Sequence, residues 1–425
     1  MAKRKKNKLT PQQQQAQFRK SYIRKTITLA EQLGAEDFRL LMTPEMMDSL
    51  IGLRNRISLN LSPSVPPELH KAAQALLDDM LKSSEVEFAA SDTALSLWDF
   101  LSVGQAIYFF VTNEKNRNVK TGRPLGYEER QRILRDRLAE FIHWADEEGE
   151  PYQRLNLVLW CVSLTFTELS QQLYWMEQHF EFDGRLLHNR FELHRVRPER
   201  RKINLDGGVR PVTRVGWAFT GTGPLWSEVD RARFDNSYQP GEQLLPVFIQ
   251  SHALRRMEER LDSTDKKFNH VYLFNSLSNA EVVKNQHGQW LIAYRYQGFK
   301  LGYLVVEVVE DILVIRTFLF MTMDSTPEGQ ALRETIGLEA EDKKYLAIDR
   351  LSTFLHSDLG NYPDIKAYFL AAGCDDLFNF DGELVDSQDR WEVANFFRRY
   401  LNNRPAEASA TAEAPSIHVP QESAA

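Results

Sequence analysis

Cysteine is almost absent from the chain. Cys161 and Cys374 are the only two in 425 residues and lie far apart among apolar neighbours, which excludes a disulfide framework and a zinc-ligand spacing. A reducing compartment, the cytoplasm, is therefore expected. Long hydrophobic runs are missing too: the longest, 157–166, contains Ser163 and Thr165 and falls short of the roughly 20 residues of a membrane span. It reads as a buried helix, and no membrane association is expected. The start is basic, but Thr10-Pro11 and four glutamines stand where a signal peptide would be apolar. H-E-x-x-H, G-x-S-x-G and the kinase motifs are also lacking, and the Gly-x-Gly at Gly221-Thr222-Gly223 has neither a P-loop lysine nor a βαβ context. The common enzyme classes fall away, and no cofactor or metal is expected.

Acid is absent from residues 1–25, which carry nine basic side chains: Lys3, Arg4, Lys5, Lys6, Lys8, Arg19, Lys20, Arg24 and Lys25. Residues 26–402 hold a net −14 and residues 403–425 a net −2, within an overall −7. Attraction to nucleic acid must then be local to particular segments. Residues 1–17 are predicted to be a disordered basic arm, serving either as a nucleic-acid contact or as a solubilising tail.

From about 18 to 180, apolar residues recur at threes and fours, as in Ile23, Ile27 and Ala30 or Leu69, Ala73, Leu76, Leu77 and Met80. An all-helical domain is predicted there, broken at Pro66-Pro67, at Thr121-Gly122-Arg123-Pro124 and at Gly149-Glu150-Pro151, with a central helix over 153–178. Near Phe180 the period falls to two, so 181–402 is predicted to be an α+β domain with a mainly antiparallel sheet. Its expected elements are strands over 182–196 and 209–219, a polar loop over 219–240, a strand over 245–249 and a helix over 251–261. A meander follows over 289–296, 299–309 and 312–322, turning at Gln297-Gly298 and Glu310-Asp311. Helices resume after Asp324-Ser325-Thr326-Pro327, where a hydroxyl can cap and proline opens the first turn, and run to about 401. The tail 403–425 has almost nothing to bury and is predicted to be disordered.

One helix carries most of the chemistry. At about 100° per residue, placing His252 at 0° puts Glu259 near about −20°, Arg256 near about 40° and Arg260 near about 80°, with Ala253, Leu254, Met257 and Leu261 opposite. Ser251 is the expected N-cap, so His252 falls in the first turn, where the helix dipole favours the neutral base form. An imidazole able to move a proton beside guanidiniums able to hold a phosphate suits metal-free phosphodiester chemistry. The same residue types also serve as ordinary surface ion pairs.

The pattern His252-Ala253-x-x-Arg256-Met257-x-x-Arg260, preceded by an apolar strand and followed by a meander ending in Arg316-Thr317, resembles a family of small bacterial domains of unknown function grouped with the BrnT and RelE-like toxin fold. The likeness covers about 245–322. It implies metal-independent endoribonuclease activity, with His252, Arg256 and Arg260 at the catalytic positions. Here the module is embedded in a longer chain, carries an extra stretch at 262–285, and has Glu307, Glu310 and Asp311 on its sheet, which oppose RNA.

Two further features bear on RNA. Residues 185–202 carry seven basic and two acidic side chains, and strand alternation puts His188, Arg190, Glu192 and His194 on one face, with Arg195 and Arg197 nearby. These could contact phosphates or simply be solvated. Tyr294 and Tyr296 share a face of the meander and could stack on bases or pack against a helix. Two classes of function remain: an RNA-directed protein acting as a metal-independent endoribonuclease, and a non-enzymatic protein that binds another protein through a toxin-like scaffold.

Overall fold

The computed structural model describes residues 10–88, 93–112, 126–182, 186–380 and 397. The predicted turn at Thr121, Arg185, the basic residues from Lys3 to Lys8, the tail 403–425 and, apart from Phe397, residues 381–401 of the predicted C-terminal helices lie outside them. The described residues fall into two compact units. Met1–Thr167, Leu173–Val196 and Ala218–Pro224 belong to the first, and Glu168–Gln172, Arg197–Trp217 and Leu225–Ala425 to the second. The class is α+β, as the periodicity implies. No helix among the described residues is long and apolar enough to cross a membrane.

The first unit opens with the helix Pro11–Gln32, whose start is fixed by Thr10: its side chain accepts from the Gln13 amide while the Gln13 side chain accepts from the Thr10 amide. Residues 11–17 are thus helical, where a disordered arm was expected. The unit is also not all-helical. Strand β1 (Asn55–Leu61) alternates Ile57, Leu59 and Leu61 with polar residues, a period-two signal hidden between helical neighbours. A small hairpin, β2 (Glu85–Phe88) and β3 (Thr93–Ser96), follows. The helix Glu150–Phe166 stops twelve residues before the predicted end at 178, because Glu168 and Gln172 close a turn and the Thr167 hydroxyl accepts from the Tyr174 amide. The aromatic run after it is strand β4 (Leu173–Phe182), paired antiparallel with β5 (Leu187–Val196). Because β1 pairs parallel to β5, the sheet order is β1-β5-β4, and the expected boundary at 180 falls inside β4.

One continuous apolar cluster fills this unit, from Phe38 and Leu50 through Leu77, Phe100 and Phe141 to Met176 and Phe191. A chain of amides runs through it. Asn55 and Asn189 both donate to the Gln105 carbonyl at 2.6 Å, and Gln178 donates to Asn189 at 2.9 Å. A satisfied polar network of this kind fixes register, since any slip would orphan several buried groups.

The second unit is built on one large sheet. Its strands are β6 (Arg200–Leu205), β7 (Gly208–Arg214), β10 (Glu228–Asp230), β11 (Leu244–Gln250), β12 (Val282–Lys284), β13 (Trp290–Tyr296), β14 (Phe299–Val309) and β15 (Ile312–Phe320). A separate hairpin, β8 (Gly216–Phe219) and β9 (Gly223–Trp226), precedes β10, so the predicted loop over 219–240 contains two short strands. The path is β12-β13-β14-β15-β11-β7-β6, with β10 beside β11. Every pairing is antiparallel except β11 with β15, which a long crossover makes possible. The meander stands where the alternation placed it, and Gln297 and Gly298 at its first turn both have positive φ, as a type I′ hairpin requires. The helix Ser251–Arg260 follows β11 and packs on β15 through buried Ala253, Leu254 and Met257. The 262–285 stretch forms the helix Lys266–Ser278 and β12. After the meander, Thr326 caps the helix Pro327–Ile336 by accepting from the Gly329 amide.

Candidate functional site

Ser251 is the first helical residue rather than the cap. Gln250 holds the cap position and makes no side-chain capping bond, so no side chain satisfies the first-turn N–H groups there. His252 is exposed, with Nδ1 3.1 Å from the Arg255 guanidinium. Arg256 donates to Glu259 at 2.8 Å. Arg260 turns inward: its side chain is 13% exposed and bonds Asp349, which is 5% exposed. The three motif positions therefore divide, with His252 open, Arg256 neutralised on the surface and Arg260 fixed in the interior.

His252 lines an open cleft of about 630 Å³ together with Gln250, Asp206, Arg210, Arg316 and Thr317. Three elements converge there. Asp206 and Arg210 come from the β6–β7 hairpin, where positive φ at Asp206 and Gly207 closes a tight turn. Arg316 comes from a bulge: Val305 pairs Thr317 and Val306 pairs Ile315, so Arg316 has no opposite residue. The guanidinium donates to Glu307 at 2.7 Å and also bonds Asp206. Burial works against its charge, but these two carboxylates more than offset it and hold Arg316 above the usual arginine range. A second cleft of about 590 Å³ shares Gln289, Val305 and Arg316 and holds Trp290 beside Phe234.

The expected phosphate face on β5 is real as a pattern, since Phe191 and Leu193 are buried while Arg190, Glu192 and His194 point the other way. Its charge is answered, however. Arg190 lies 3.1 Å from Glu181, and His194 lies 3.6 Å from Glu177 and 3.9 Å from Glu192 and stacks on Trp175. Arg195 is half-buried in the first unit, and Arg197 is exposed in the second. Base stacking by Tyr294 and Tyr296 is corrected outright. Tyr294 is fully buried and donates to the Asn269 carbonyl at 3.2 Å, and Tyr296 is 3% exposed and packs on Tyr272. Strand alternation shows which residues share a face but not which face is covered. Arg210, which alternation never singled out, reaches the His252 cleft through a hairpin pairing that only the three-dimensional register reveals.

Among the described residues, no group of three or more His, Cys, Asp or Glu side chains is placed to hold a metal ion. No protein-family profile, curated protein or solved structure matches this chain.

Proposed function

We infer that the second unit is an RNA-directed module, working in the cytoplasm, whose His252 cleft binds a phosphodiester and cleaves it without a metal. The observation that carries this reading is the convergence of an exposed imidazole, two guanidiniums and uncapped helix N–H groups on one open cleft. In the step proposed, His252 takes the proton of a ribose 2′-hydroxyl. The 2′-oxygen then bonds phosphorus, the bond from phosphorus to the 5′-oxygen breaks, and water protonates the leaving oxygen. Arg210 and Arg316, rather than Arg256 and Arg260, offset the charge that grows on the phosphate.

The test is cleavage of mixed cellular RNA by purified protein in the presence of EDTA. Products ending in cyclic phosphate are expected, with turnover about a hundredfold lower in His252→Ala. Equal cutting by wild type and His252→Ala would sink the assignment. A specific observation favours the second class of function, a non-enzymatic protein-binding scaffold: Arg256, Arg260 and Arg316 each already have a carboxylate partner. If neither protein cuts RNA, that reading replaces the first.

A further inference from the structure

We propose that the helix Pro11–Gln32 is an RNA-backbone docking element separate from the His252 cleft. Its first eleven residues, 11–21, are all exposed, yet the capping box at Thr10 specifies its start, so it is built to stand free. With Lys20 set at 0°, Gln13, Glu31, Arg24, Gln17, Thr28, Ser21, Gln14, Gln32 and Lys25 fall between about 0° and about 140°. From Gln13 to Thr28 that face runs about 24 Å and holds donors and cations without an acid or apolar side chain, and Glu31 falls on it only in the last turn. The apolar residues Tyr22, Leu29 and Ala30 are buried on the other side.

The cations divide in the same way. Arg19, which lies off this face at about −100°, and Lys25, at its edge, pair with Asp48 and Asp99. Lys20 and Arg24, on this face, are exposed and have no ion-pair or hydrogen-bond partner among the described residues. Like charges four apart on a helix repel, which leaves this pair poised for an outside anion. An open cleft of about 550 Å³ beside it presents Ser21, Arg24 and Thr28 together with the paired Lys25 and Asp99. In sequence, five more cations, Lys3, Arg4, Lys5, Lys6 and Lys8, precede the helix.

A protein partner would need apolar anchors at the centre of its footprint, and this face has none. Phosphate neutralisation asks only for cations and donors. The choice of RNA over duplex DNA rests on the function proposed for the second unit, whereas the polyphosphate contact itself does not.

The experiment measures binding of the full chain to a 30-nucleotide single-stranded RNA and to a duplex DNA of equal length across a salt series. It compares wild type with Lys20→Glu/Arg24→Glu and, separately, with His252→Ala. The double variant is expected to bind RNA at least tenfold more weakly at low salt, with the slope of log affinity against log salt reduced by about 1.4, the worth of two phosphates. His252→Ala should keep the wild-type slope. Unchanged affinity and slope in the double variant, or no RNA binding by wild type, overturns the proposal, and tighter binding of the duplex DNA overturns the choice of RNA. Loss of cleavage in His252→Ala with retained docking bears on the cleft alone, so the two readings fail separately.

Discussion

Two helices of this protein carry their positive charge in opposite ways. In Ser251–Arg260, Arg256 and Arg260 meet Glu259 and Asp349, and His252, which has no carboxylate partner among the described residues, faces an open cleft. In Pro11–Gln32, Lys20 and Arg24 have no ion-pair or hydrogen-bond partner among the described residues. A count of basic residues ranks the two helices alike, but their pairing separates a cation that holds the fold from one that is free for a ligand. Arg260 is the extreme of the first kind, since an ion pair this buried makes each partner a liability without the other.

The largest expected effect comes from breaking that pair. Arg260→Ala leaves Asp349 buried with only the longer contact to Arg350 at 3.8 Å, and should lower unfolding free energy by up to about 3–5 kcal/mol in urea titration. A loss below about 1 kcal/mol would erase the contrast drawn here. Next in size is the response to acid. Burial pushes the His270 imidazole down to about 4 from an ordinary 6.5, with Asp265 opposing weakly, and its Nε2 has no hydrogen-bond partner. The fold therefore holds this ring neutral. Stability is undiminished above the unfolded value of 6.5 and falls as pH drops toward about 4, where the loss amounts to about 3 kcal/mol. His270→Leu should flatten the pH dependence of stability across that window, and an unchanged profile would show that another group controls it.

Smaller effects sharpen the comparison. Arg256→Ala removes a half-exposed surface pair and should cost under about 1 kcal/mol, as urea titration can show. Lys20→Glu/Arg24→Glu exchanges one exposed like-charge pair for another in mid-helix and should change global stability by under about 0.5 kcal/mol. Destabilisation seen by thermal melting would mean that these side chains hold the fold.

What could be read from the residues follows from range. The meander was legible because period two, turn residues and strand length all agree within a few positions, as at Gln297-Gly298. The burial of Leu254 and Met257 was legible for the same reason. Strand β1 was not, because its seven residues sit between helical stretches and find their partner, β5, about 130 positions later. The end of the helix Glu150–Phe166 was set by the Thr167 hydroxyl, a single local bond with little sequence signature. At the site, His252 was legible as an open imidazole. The fate of Arg260 was not, since Asp349 lies 89 residues away, and neither was Arg316, whose aim depends on a one-residue bulge.

The central claim is that His252, rather than the arginines of its helix, meets the phosphodiester. The most direct measurement follows the ring resonances of His252 by NMR in histidine-labelled protein, assigned with His252→Ala, while a short single-stranded RNA is added. The account predicts a saturable shift of the His252 signals that persists in Arg256→Ala and is weakened in Arg210→Ala. Ring signals of His252 that stay fixed while RNA binds elsewhere on the protein would contradict it.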